Sequence, residues 1–185
     1  KNIMLALIDK KRGAIISSSL RTIEVSPIDD VMPGSLKIDT ARYQLSERIR
    51  AIALRYNSGA VRRSCAKSTS GDELMLYAQE ANSLRPLLKL YMHQQIAFSG
   101  CIGRNTGDDS GEVASLSVVI DKTKSHGLYD IKLLADILSY DTNNESHSLE
   151  YVKKRIESYY MKYDGRAYKN ADENPPIWMI QDNYE

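Results

Sequence analysis

The sequence predicts an α+β fold that is mainly helical, with four to five helices around a kinked central helix and a small antiparallel sheet. Three observations carry this. Apolar residues recur at helical spacing in several windows, Ser/Thr-x-x-Glu capping boxes precede two of them, and Pro86 falls inside the most apolar one. Residues 1–165 are expected as one globular domain and residues 166–185 as an arm with an apolar hook.

The chain opens with an apolar run at 3–8, turns at 9–13, and resumes at 14–16 and 22–25. Gly13 behind Lys11 and Arg12 fits a hairpin loop, so two paired strands are expected, although Leu5, Ala6 and Leu7 also suit a helix. Pro27, Asp29, Asp30 and the Pro33–Gly34–Ser35 cluster mark a loop. Thr40 then caps a predicted helix reaching Tyr56, with Leu45, Ile49, Ile52 and Tyr56 as its stripe.

Ser70 and Glu73 form the first capping box, ahead of Leu74, Tyr77, Ala78, Ala81 and Leu84. Pro86 should divide this helix from a second half over 86–98, apolar on most sides and therefore central. A glycine-punctuated loop over 100–111 precedes a β-branched strand over 113–120, and residues 122–127 turn the chain again. Ile131, Leu134 and Leu138 favour a short helix behind Asp130. Thr142 and Glu145 cap the best-patterned helix, 145–163, with Leu149, Val152, Ile156, Tyr159 or Tyr160, and Tyr163 as its stripe and Gly165 as its stop.

Length and composition bound the class. A chain of 185 residues buries roughly two-thirds of its unfolded surface, and 42% apolar with 26% charged residues excludes wholesale disorder. No apolar stretch nears the ~20 residues of a membrane helix, so a soluble protein with no membrane partner is expected, in the cytoplasm. Lys1 in first place fits a processed N-terminus. Cys65 and Cys101, without a CxxC or histidine neighbour, are expected as reduced thiols.

The function reading starts from charge. Between residues 42 and 67, Arg42, Arg48, Arg50, Arg55, Arg62, Arg63 and Lys67 face one acid, Glu47, in a chain of net charge +1. Such a surplus repels itself unless an anion or neighbouring acids offset it, and the arginine fork suits phosphate. Arg48 and Arg55 would share one flank of the predicted helix, with Tyr43 and Tyr56 placed to stack on bases. The leading expectation is therefore a non-catalytic, arginine-rich protein that binds DNA or RNA or takes part in assembly, without cofactor or metal.

Two alternatives stand beside it. If 113–121 and 128–133 were paired strands, Asp121, Asp130 and Lys132 would resemble the PD-(D/E)xK nuclease arrangement, which implies a divalent cation and an activated water. The other is a protein-interaction module or effector whose arginines meet an acidic partner or the chain's own acids. Seven of the twelve tyrosines follow residue 139, and Pro175 and Pro176 precede Ile177 to Ile180. Self-association as an oligomer, or a protein partner, is accordingly expected through Tyr159, Tyr163, Ile177 and Trp178.

Overall fold

The computed structural model describes residues 1–23, 30–58, 65–102, 109–142, 149–172 and 175–176. Among them there is no helix. The chain runs as strands β1 (Asn2–Ile8), β2 (Ile15–Thr22), β3 (Leu36–Asp39), β4 (Ile52–Tyr56), β5 (Ser68–Glu80), β6 (Ser83–Ser99), β7 (Ser110–Ser125), β8 (Leu128–Thr142), β9 (Leu149–Tyr163) and β10 (Tyr168–Asn170). The mainly helical expectation is thus overturned: the predicted helices over 40–56, 70–84, 86–98, 131–140 and, in its described part 149–163, the one over 145–163 give way to strands or loop.

From β4 to β10 each strand pairs antiparallel with its predecessor, so the sheet is a long meander. The expected N-terminal hairpin is present as β1 and β2, and the expected strand over 113–120 lies inside β7. The expected turn over 122–127 closes at His126 and Gly127. Both have positive φ, as a two-residue hairpin turn matching the strand twist requires.

The sheet rolls. Register shifts between Leu76 and Tyr77, Ala97 and Ser99, Ile120 and Lys124, and Ser139 and Tyr140 each bend it locally. As a result Leu74, Leu76, Leu88 and Leu90 of β5 and β6 share one core with Ile131, Leu133, Ala135 and Ile137 of β8, and with Tyr163 and Tyr168. Arg85 of β6 ties the roll: its Nη2 donates to the Tyr163 hydroxyl at 2.8 Å and its Nη1 to the Arg166 carbonyl. Tyr168, inside the stretch expected as an arm, is buried in this core.

The β1–β2 hairpin covers the other face of β4–β6. Ile3, Leu5, Leu7 and Ile23 pack on Leu54, Tyr56, Met75, Tyr77 and Leu84 as a second core. β5 therefore lies between two apolar layers and is buried continuously from Leu74 to Ala78, which removes the period-two signature of a strand. Glu73, read as a helix cap, is 3% exposed and held between Arg21 at 2.5 Å and Lys89 at 3.2 Å. Pro86 sits beside the β5–β6 bulge, in the part of β6 that β7 does not reach, where its missing N–H leaves no ladder acceptor unpaired on that side.

Cys65 and Cys101 form a disulfide, a correction to the reduced thiols expected. They flank the isolated Ala66–Ile102 bridge and staple the open end of the β5–β6 hairpin.

Candidate anion-binding site

The helix edge that was to carry the arginines does not exist; the tract is divided between a loop, a strand and an edge. Arg42, Arg48 and Arg50 lie on the β3–β4 connection, residues 40–51, and are exposed. The loop is held from within. Asp39 accepts the Ala41 N–H at 2.9 Å, and Ser46 Oγ accepts those of Arg48 and Ile49 at 3.2 and 3.1 Å. Leu45 N–H donates to the Ile49 carbonyl, and Ala51 N–H to that of Tyr43, both at 2.8 Å.

Leu45 is the pin. Its side chain is fully buried in the rolled core, and its carbonyl accepts the Tyr129 N–H at 2.7 Å. Tyr43 is buried two residues earlier and donates its hydroxyl to Asp39 at 3.0 Å. Burial, with that donation to a carboxylate, pushes the Tyr43 phenol up to about 12. Alternating buried Tyr43 and Leu45 with exposed Arg42, and then Arg48 and Arg50, fixes the backbone and leaves the guanidinium groups outside. Among the described residues these three arginines form no ion pair.

Arg55 differs. It projects from β4 between Asp39 at 3.2 Å and Asp72 at 3.3 Å, so the chain's own acids neutralise it. Lys67 Nζ donates to the Gly100 carbonyl at 2.6 Å beside the disulfide. Arg62 and Arg63 lie outside the described residues.

A second positive feature adjoins the loop through Tyr129, whose carbonyl accepts the Tyr168 hydroxyl at 2.6 Å. Next to Tyr168, Lys169 stands directly opposite Lys162 across β9 and β10. The two share an open cleft of about 550 Å³ with Ser125, His126, Asn170 and the acid Asp164. Like charges opposed in this way repel, and the Asp164 carboxylate on the same cleft offsets part of that repulsion.

The nuclease candidates are placed as follows. β7 and β8 do pair, as that reading requires. Asp130, 4% exposed, accepts the Thr123 hydroxyl at 2.9 Å; Asp121 accepts the Lys122 N–H at 2.6 Å; Lys132 Nζ lies 5.8 Å from the Tyr160 ring centroid. No hydrogen bond or ion pair joins the three, and no cluster of three His, Cys, Asp or Glu side chains able to hold a metal occurs among the described residues.

The tyrosines expected at a partner surface are occupied. Tyr163 is buried, its ring centroid 5.5 Å from that of Tyr168 with the two rings tilted at 49°. Tyr159 belongs to an ionic network on the inner face, where Arg155 reaches Glu112 at 2.6 and 3.1 Å and Glu157 at 2.7 Å. Donation by Tyr159, then by Arg155, holds Glu157 below the usual carboxylate range; burial, then that donation, pushes the Tyr159 hydroxyl up. Ile177 and Trp178 lie outside the described residues. Among the described residues no helix is long and apolar enough to cross a membrane.

Sequence reasoning missed Leu45 as the loop's anchor and the lysine pair of β9 and β10. The signal for the first was local: Asp39 stands just before the predicted cap at Thr40, and Ser46 is a loop-forming residue within the stretch read as helix interior. No protein-family model, curated protein or solved structure matches this chain.

Proposed function

We propose that this protein is a non-catalytic binding module that takes an acidic protein partner on Arg42, Arg48 and Arg50. The observation that carries the reading is the contrast within one tract. Arg55 is neutralised by two carboxylates, whereas these three arginines are held out on a loop whose backbone is bonded from within. A preorganised cationic surface lowers the ordering cost of binding an anion.

Two further observations favour an acidic protein over a nucleic acid. Tyr43 and Tyr56, the rings that would stack on bases, are both buried, and the Tyr56 hydroxyl donates to the Asp30 carbonyl at 3.0 Å. These two rings therefore offer no platform of the kind that single-stranded nucleic acid uses. The Cys65–Cys101 disulfide fits an oxidising compartment in place of the cytoplasm expected from the sequence.

A competition experiment tests the choice of partner. A fluorescent deca-glutamate peptide is bound to the protein, then displaced with unlabelled deca-glutamate or with a single-stranded DNA of matched charge. Displacement by the peptide at equal or lower concentration is expected. Preferential displacement by the DNA returns the site to a nucleic-acid role.

A further inference from the structure

β1 and β3 are both edge strands, and they border the same groove. Among the described residues β1 pairs with β2 alone and β3 with β4 alone. β2 joins the main sheet at its β6 side, through Ser18 and Ser83, so the free edge of β1 faces the β3 side. Between them runs a groove of about 190 Å³ lined by Ile3, Met4, Leu5, Leu36, Ile38 and Leu54, with Lys37 contributing from the same strand as Leu36 and Ile38.

The ladder of β1 shows which backbone groups point into that space. Lys1 and Ile23 exchange both bonds, Lys1 N to the Ile23 carbonyl at 2.6 Å and Ile23 N to the Lys1 carbonyl at 2.8 Å. In an antiparallel pair such bonded positions alternate, so Ile3 and Leu5 bond β2 while Asn2, Met4 and Ala6 turn their N–H and C=O groups to the free edge. Natural edge strands are commonly blunted by charge, proline or a bulge. From Asn2 to Leu7, β1 has no charged residue and no proline, and its register shift falls only between Leu7 and Ile8.

We infer that this groove is a strand-addition site, in which an extended segment of an acidic partner hydrogen-bonds to the free edge of β1. Its inward side chains lie on Leu36 and Ile38, the latter 56% exposed. Charge selects the occupant: among the described residues no acid lines the groove, and Lys10, Lys11 and Arg12 outnumber Asp9 in the turn at the end of β1. At the other end of β1 Lys1 is already paired with Asp30 at 2.8 Å, so the segment is apolar at alternate positions and carries a carboxylate where it meets this turn. This inference rests on the acidic-partner reading above but uses a different surface from the arginine loop.

The probe is a labelled peptide Asp-Thr-Val-Thr-Val-Thr-Asp, followed by fluorescence anisotropy with the full chain. Saturable binding is expected, with the Met4 and Ala6 amides exchanging more slowly in its presence. Ala6→Pro removes an outward N–H and spares the β2 ladder, so it should weaken binding at least tenfold with an unchanged urea midpoint. Ile38→Lys, at an exposed position, should weaken it about fivefold or more and decides the matter if Ala6→Pro fails to fold. No saturation by the parent protein, or unchanged affinity in Ile38→Lys with unaltered exchange at Met4 and Ala6, overturns the inference.

The two surfaces fail separately. Replacing Arg42, Arg48 and Arg50 by Gln should weaken deca-glutamate binding and leave heptapeptide affinity unchanged. Undiminished deca-glutamate affinity in that variant defeats the loop reading alone, and a heptapeptide that does not bind while deca-glutamate does defeats the groove alone.

Discussion

Replacing both Cys65 and Cys101 by Ser removes a cross-link whose effect can be worked from its position. The bridge spans 36 residues, and the chain-entropy relation gives roughly 4 kcal/mol at 25 °C for a loop of that length. Folded contacts change little. The Ala66–Ile102 bridge, the Ala97 N–H bond to the Lys67 carbonyl and the Ser68–Ile96 register already hold this end of β5 and β6 together. The loss is therefore one of restriction in the unfolded chain. With a urea slope of about 2 kcal/mol/M, the midpoint should fall by about 2 M, and the thermal midpoint by roughly 8–15 °C. Urea denaturation of parent and double variant, without reductant, measures it. A fall below about 0.3 M would refute the reasoning, because it would mean that the unfolded chain gains no freedom when the staple is cut.

Gly111→Ala should be among the most damaging single substitutions, since a Cβ there would lie 2.1 Å from the Ile96 carbonyl and 2.4 Å from the Tyr140 hydroxyl. A loss of about 3 kcal/mol or more is expected by urea denaturation, and a near-neutral result would show that β6 and β8 yield at this point. Alkaline stability tests the loop. Tyr43 holds its proton to about pH 12 when folded, against about 10 in the unfolded chain, so its contribution is intact below pH 10 and is lost as pH rises towards 12. Urea midpoints at pH 9, 10.5 and 11.5 should fall less steeply in Tyr43→Phe than in the parent; equal slopes would contradict the assigned environment.

The sequence was readable where a strand faces one layer and closes on a turn with a strong backbone demand. The β1–β2 hairpin with Gly13 and the 113–120 strand are of that kind. It was misleading where both faces carry the same chemistry. Residues 74–78 are buried on both sides, between the rolled core and the hairpin, so Leu74, Tyr77 and Ala78 read as one face of a helix. In β9 the reverse occurs: Val152 and Ile156 face outward while Arg155 points inward on to Glu112, and the mixture imitates an amphipathic helix with salt-bridged flanks.

The arginine surplus was legible as charge but not as geometry. Asp39 and Asp72 precede and follow Arg55 by many residues, and only the register of β3, β4 and β5 brings them to it. What remains uncompensated on the loop was set by Leu45, an apolar residue that charge arithmetic ignores. The disulfide was obscure for the same reason, since the approach of Cys65 to Cys101 depends on the pairing of β5 with β6.

The most direct measurement is the affinity for deca-glutamate of the parent and of the Arg42→Gln, Arg48→Gln, Arg50→Gln variant, by anisotropy at several salt concentrations. Exposed charge contacts contribute about 0.2–1 kcal/mol each, so losing three should weaken binding roughly 3- to 150-fold and flatten its salt dependence. An affinity and salt slope indistinguishable from the parent's would contradict the assignment of these arginines to a binding surface.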